Sequence, residues 1–158
     1  MGKLHLVVAA AAHNHGIGTK GALPWRLKGD MNFFVQVTSH LGKLPGSDLE
    51  VSNVVIMGRK TWESIPPKFR PLPGRVNVVL SRSEEFKRQN KSLLVFPSLD
   101  EAVIYANSTI LDVGKGGEIL VIGGASVYAE TLGRPDCGYV FLTNVQVPQE
   151  KLANVEFD

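Results

Sequence analysis

The sequence predicts an α/β fold: a single domain over 1–158 with a mixed, mostly parallel central sheet flanked by helices on both faces. Three observations lead there. Short apolar runs alternate along the chain with stretches of helical period. Most of those runs are apolar at successive positions, as strands covered on both sides require. The 158 residues, 44% hydrophobic and 20% charged, have the makeup of one ordinary globular domain.

The elements follow in order. LHLVVAAAA, from Leu4, is the first strand. A helix over Leu27 to Ser39 places Leu27, Asp30, Met31, Phe34 and Val37 or Thr38 on one face by the i, i+3, i+4, i+7 rule. Residues 42–48, rich in Gly, Pro and Ser, read as a surface loop. NVVIMG (Asn53 to Gly58) is a strand, followed by a short helix from Lys60 to Ser64 and a second loop over 66–74. RVNVVLS (Arg75 to Ser81) and LLVF (Leu93 to Phe96) are strands. Ser98 with Glu101 spells a capping box for a helix over Leu99 to Asn107. EILVIGG (Glu118 to Gly124), a helix over Ser126 to Leu132 and the strand YVFLTNV (Tyr139 to Val145) complete the pattern.

Charge and cysteine usage narrow the function classes. Seventeen Lys and Arg against 15 Asp and Glu leave a net charge of +2 without a basic block, which favours neither nucleic acid nor membrane as a partner. The single Cys137 forms no internal disulfide, and with His5, His13, His15 and His40 it shows no metal-ligand spacing, so no metal is expected. His5 interrupts an apolar run already short for a signal peptide. Leu6 stands where a myristoylation signal needs Ser or Thr. A soluble cytoplasmic protein is expected.

Three strand-to-helix junctions carry basic or glycine chemistry: Gly58-Arg59-Lys60-Thr61, Gly123-Gly124-Ala125-Ser126, and Ser81-Arg82-Ser83. A helix start exposes unpaired N–H groups and a positive dipole end, and glycine lets a ligand approach the backbone. Each junction alone reads either as turn chemistry or as a phosphate seat. Three in one small sheet suit a ligand with several phosphates, a dinucleotide with an extra phosphate being the natural candidate.

GIGTKG (Gly16 to Gly21) also matches the glycine spacing of a dinucleotide fingerprint, but no helix follows it. Pro24 restricts Leu23 to extended backbone, and no acidic residue stands about twenty positions on, so the segment reads as a loop crossing the end of the first strand. Asp30 puts a carboxylate on an apolar helix face. It is either a helix-start Asp bonded to local N–H groups or a desolvated carboxylate kept for a cationic or N–H-rich ligand. No second carboxylate, serine–histidine pair or metal set accompanies it, which disfavours hydrolysis and points to redox chemistry on a bound cofactor.

Taken in order, GIGTKGALPWRLKGDMNFF, VVIMGRKTWESIPPKFRPLPGRVNVVLSR, PSLDEA, VIGGASVY and YVFLT make the chain resemble the dihydrofolate reductase family in its eukaryotic form, over nearly its whole length. The resemblance implies reduction of 7,8-dihydrofolate to 5,6,7,8-tetrahydrofolate with NADPH, in one-carbon metabolism, and sensitivity to antifolate inhibitors. Asp30 takes the family's acidic place, pairing with pterin N3 and the 2-amino group, assisted by Thr143 and a water near Trp25. Hydride passes from nicotinamide C4 to pterin C6 and water protonates N5. Asp30, too far from N5 to deliver the proton itself, orients the pterin and favours its protonated form.

By the same resemblance Val8, Ala9, Leu23, Met31, Phe34, Ser64, Ile65, Phe69 and Leu72 line the substrate pocket, and Arg75 clamps the glutamate α-carboxylate. Ala10 and Ile17 contact the nicotinamide carboxamide, and Gly16, Ile17, Gly18, Thr19, Gly21 and Ala22 belong to the loop that closes over it. Arg59, Lys60 and Thr61, with Gly123, Gly124, Ala125, Ser126 and Val127, hold the pyrophosphate, and Gly58, Ser83, Ser98, Ile122 and Tyr128 are further cofactor-binding positions. Ser81 and Arg82, with Arg59 nearby, bind the 2′-phosphate and so select NADPH over NADH. Met31 and Phe69 depart from the family's usual aromatic and polar residues, which bears on inhibitor preference and KM.

The family pattern continues beyond the last strand with an aromatic-proline motif and an antiparallel strand pair, whereas this chain stops at Val155-Glu156-Phe157-Asp158. The expectation is an exposed edge on the strand from Tyr139 to Val145. A monomer follows from family analogy, with an edge-mediated dimer as the alternative. Two other functional readings are a catalytically silent NADPH- or pterin-binding module and a related reductase of another substrate; the second lacks a use for Arg75.

Overall fold

A computed structural model of the chain describes residues 4–11, 38, 42–43, 50–51, 53–111 and 117–145. The strands are β1 Leu4–Ala11, β2 Gly42–Lys43, β3 Glu50–Val51, β4 Val54–Gly58, β5 Val76–Leu80, β6 Leu94–Phe96, β7 Ile119–Gly123 and β8 Cys137–Val145. The helices are α1 Arg59–Ser64, α2 Glu84–Gln89, α3 Leu99–Tyr105 and α4 Ala125–Leu132. Six strands form one sheet in the order β6-β5-β4-β7-β1-β8, and every described neighbour pair in it is parallel. The antiparallel component is separate: β2 pairs with β3, so residues 42 and 43 are a short strand and not the start of a loop.

The apolar runs form strands because both faces of the sheet are covered. Leu4, Leu6, Val54, Ile56, Val78, Ile119 and Val121 face one layer, where α3 brings Leu99, Ala102 and Val103 and α4 brings Val127. Val7, Val55, Met57, Val79, Val95 and Leu120 face the other, with Trp62 of α1 and Phe86 of α2. Neighbouring residues of one strand therefore belong to two different cores, which removes the polar half of the usual strand alternation.

Local chemistry sets the helix boundaries. The Ser83 hydroxyl accepts the Phe86 N–H at 3.1 Å and opens α2, with Glu84 and Glu85 in its first turn and Lys87 and Arg88 in its last. This helix is absent from the sequence reading because it buries one residue, Phe86, and shows no apolar stripe. The Ser98 hydroxyl accepts the Glu101 N–H at 3.2 Å, the N-cap half of the expected capping box. The α-helix it opens ends at Tyr105, short of Asn107, and passes into a π-helix over Ala106–Leu111. There the Ser108 hydroxyl donates to the Ile104 carbonyl at 2.8 Å, the back-bonding that loosens helical turns. Of the helix expected over Leu27 to Ser39, only Thr38 lies among the described residues, and it is helical.

β8 stands at the end of the described strand order, with Tyr139, Val140 and Leu142 exposed among the described residues. Its pairing with β1 breaks register between Leu4 and Leu6. There the buried His5 ring accepts the Tyr139 N–H through Nδ1 at 2.9 Å, so a side chain replaces the missing ladder acceptor. Among the described residues no helix is long and apolar enough to cross a membrane, and no group of three or more His, Cys, Asp or Glu is placed to hold a metal.

The two-sided burial sets a stability expectation. Ile56→Ala, at a fully buried site, is expected to lower unfolding free energy by about 2–5 kcal/mol, and Ile104→Ala, 65% exposed, by under about 0.5 kcal/mol. Urea denaturation of the two variants checks this; equal losses would contradict the core assignment.

Candidate functional site

A parallel sheet ends all its strands on one rim, and the three junctions singled out above meet there. Gly58 is in register with Leu80 of β5, and Met57 with Gly123 of β7. Gly58-Arg59 thus lies between Leu80-Ser81 on one side and Gly123-Gly124 on the other. β7 is inserted between β4 and β1, so the chain's course across the sheet reverses at this place, the position where open α/β sheets bind ligands.

Each junction offers positive charge or unfilled N–H groups. Glycine is the N-cap of α1 (Gly58) and of α4 (Gly124), and no side chain caps either helix start. Arg59 and Lys60 are exposed on α1, and Arg82 is exposed beyond β5. Arg59 is held on two sides: its Nε donates to Glu63 Oε1 at 2.7 Å, and its guanidinium lies 4.9 Å from the centre of the Phe86 ring. Ser81 accepts the Ser83 N–H through its hydroxyl at 3.1 Å, which shapes the turn bearing Arg82. Ala125 and Ser126 are exposed at the start of α4, whereas the Val127 side chain is buried in the core, leaving only its backbone to a ligand. Ile122 is half-buried against the second core layer. Ser98 lies past the end of β6, farther along the rim, and serves as an N-cap.

Gly123 has a steric role besides any ligand role. Its φ of +145° is one that side chains rarely adopt, and a Cβ there would stand 2.8 Å from Thr61 Oγ1. Thr61 is thereby packed against the β7–α4 turn. Tyr128, one turn into α4, donates its hydroxyl to the Val7 carbonyl at 2.8 Å, joining the helix to β1 beside Val8; burial pushes its pKa up.

The substrate-side residues divide in two. Ala9 pairs with Thr143 and Ala10 with Asn144 across β1 and β8, and Val8 is half-buried next to them. Ser64 donates its hydroxyl to the Thr61 carbonyl at 2.6 Å, and Ile65 and Leu72 are half-buried against the second core layer. Phe69 is 56% exposed, with Lys68 Nζ 4.8 Å from its ring centre. Arg75 precedes β5, at the opposite rim from Ser81, and is half-buried, which lowers its pKa from the ordinary value. Asp30, Trp25, Leu23, Met31, Phe34, Gly16, Ile17, Gly18, Thr19, Gly21 and Ala22 lie outside the described residues.

Several supporting residues escaped the sequence reading. Asn77 accepts the Leu72 N–H at 2.9 Å and donates to the Leu72 and Arg75 carbonyls at 2.9 and 3.0 Å, fixing the turn that carries both. Arg70 donates to the Trp62 and Ile65 carbonyls at 2.9 and 3.1 Å and so closes the end of α1. The one available signal for Asn77 is a polar residue inside the apolar run VNVVL.

The geometry of Gly123 generates a direct expectation. Gly123→Ala loses about 1–3 kcal/mol to the backbone conformation and more to the contact with Thr61. Thr61→Ala in the same chain recovers only the contact part. Denaturation of the single and double variants measures both contributions, and an unchanged midpoint in Gly123→Ala would contradict the packing described.

Comparison with known proteins accords with this arrangement. A family model described as dihydrofolate reductase matches residues 3–157. The chain is 43% identical over 150 residues to a dihydrofolate reductase of Heliothis virescens, covering 91% of this chain and 74% of that protein. It is 47% identical over 126 residues to a dihydrofolate reductase of Cryptococcus neoformans, covering 80% and 53%. Against a bifunctional dihydrofolate reductase-thymidylate synthase of Daucus carota the identity is 43%, over 91% of this chain but 26% of that one. The solved structure of Schistosoma mansoni dihydrofolate reductase superposes with a TM-score of 0.72 at 34% identity, covering 99% of this chain and 77% of that one. The rim geometry, the ordered motifs and these similarities have one consistent reading: the chain belongs to the dihydrofolate reductase family.

Proposed function

We propose that the protein reduces dihydrofolate to tetrahydrofolate with NADPH. The observation that carries this reading is the convergence of three phosphate-suited junctions on one rim of the sheet in a chain of this family. The donor set there fits a dinucleotide carrying an extra phosphate. Arg59, Lys60 and Thr61 with Gly123 to Ser126 would hold the pyrophosphate, while Ser81 and Arg82, with Arg59 nearby, would hold the 2′-phosphate. When bound, NADPH supplies the hydride.

The chain's own contribution is placement. Ala9 and Thr143, paired across β1 and β8, would border the pterin, and Asp30 would bond its N3 and 2-amino groups, orienting the ring and favouring its protonated form. Arg75 would take the glutamate α-carboxylate at the far end of β5. Catalysis then rests on orientation and electrostatics.

Two measurements test this. Oxidation of NADPH, followed by its absorbance, should require dihydrofolate, and Asp30→Asn should slow turnover by roughly two orders of magnitude, the scale of an acid–base group. Binding of NADPH without turnover in the wild type would instead favour a silent binding module. Arg82→Ala should narrow the ratio of kcat/KM for NADPH over NADH by about tenfold, the worth of one charge-assisted contact. An unchanged ratio would refute the 2′-phosphate assignment.

A further inference from the structure

The opposite rim of the sheet, where strands begin, carries a polar chain, buried at Asn53 and Thr38, that the cofactor side does not use. Asn53 immediately precedes β4 and is 2% exposed. Both ends of its amide are engaged: Oδ1 accepts the Glu118 N–H at 3.0 Å, just before β7, and Nδ2 donates to the Thr38 carbonyl at 3.0 Å. Thr38 is fully buried, and its hydroxyl accepts from Arg75 Nη1 at 2.8 Å. Arg75 Nε in turn donates to the Pro73 carbonyl at 3.0 Å.

Resting on the reading of Arg75 as the carboxylate clamp, we propose that Asn53 is the positioning residue of that clamp. It fixes Thr38 through the backbone carbonyl, and Thr38 fixes the guanidinium through the hydroxyl. An arginine has a long, rotatable stem, and a clamp whose plane is set before the carboxylate arrives loses less side-chain freedom on binding. Asn53 suits the task because it is anchored to the sheet: its amide reports the spacing of β4 and β7 to a residue that neither strand contains. An aliphatic residue in its place would remove the bonds to the buried Thr38 carbonyl and to the Glu118 N–H, and with them the tie between Thr38 and the sheet.

Asn53 also stitches two strands together, so the test separates positioning from stability. Steady-state kinetics are measured at saturating NADPH with dihydrofolate and with a dihydropterin that lacks the benzoyl-glutamate tail. Asn53→Ala should raise KM for dihydrofolate about three- to tenfold with kcat altered less than about twofold, the range of one hydrogen bond. KM for the tail-less pterin and for NADPH should not move. In the Arg75→Ala background, Asn53→Ala should add no further rise. Thr38→Val should reproduce the effect of Asn53→Ala, and Thr38→Ser, which keeps the hydroxyl, should not. An equal rise for both pterins, an additive rise on Arg75→Ala, or no rise would each overturn the inference.

Should Arg75→Ala alone leave KM for dihydrofolate unchanged, the clamp reading falls, and the positioning is then decided by NMR. The Arg75 Nε–Hε resonance must shift in Asn53→Ala, and an unmoved resonance overturns the inference by itself. If Asn53→Ala does not fold, Asn53→Ser replaces it throughout: its hydroxyl is too short to reach Thr38 while remaining polar near Glu118.

Discussion

Because the six strands run parallel and both faces of their sheet are covered, each strand must hand the chain to a connection at the same rim. That constraint gathers three glycine or arginine junctions, distant in sequence, onto neighbouring strands. It also aligns the beginnings of α1 and α4 at this rim, where their uncapped N–H groups lie close to exposed cations. The chemistry of the rim thus follows from topology before any single side chain is considered.

The same constraint gives the molecule two poles. Arg75 and Ser81 stand at opposite ends of β5, roughly 20 Å apart at 3.3 Å per residue. The proposed ligand set, with phosphates at one end and a carboxylate tail at the other, would span the sheet. Each pole has its own supports: Glu63 and Phe86 fix Arg59 at one, and Thr38, Asn53 and Asn77 surround Arg75 at the other. At the first pole Glu63 and the cations Arg59, Lys60 and Arg82 are exposed, which leaves room for a large anionic ligand, while Phe86 is anchored in the core. At the second the supports Thr38, Asn53 and Asn77 are buried, which would suit the proposed clamp.

The strands were legible because two-sided burial writes them as unbroken apolar runs; VVIMG and VNVVL need no partner to be seen. Their order was not, since nothing local to EILVIGG says that it inserts between β1 and β4. α2 was hidden because its stability comes from the Ser83 cap and one buried ring, with no periodic face for a sequence reading to detect. Arg59, Arg82 and the two glycine junctions were legible as chemistry, although Gly123 proved to answer a steric demand from Thr61 as well. Asn53 and Thr38 were illegible because their meaning lies in bonds to residues 65 and 37 positions away.

The cofactor is expected to bind where strands end and not where they begin. Hydrogen–deuterium exchange of the backbone amides with and without saturating NADPH tests it most directly. Slowed exchange is expected at Arg59 to Thr61, Ser81 to Ser83 and Gly124 to Ser126, with no change at Asn53, Val76 and Glu118 on the other rim. Protection at the second group without the first, or none at either despite bound NADPH, would contradict it.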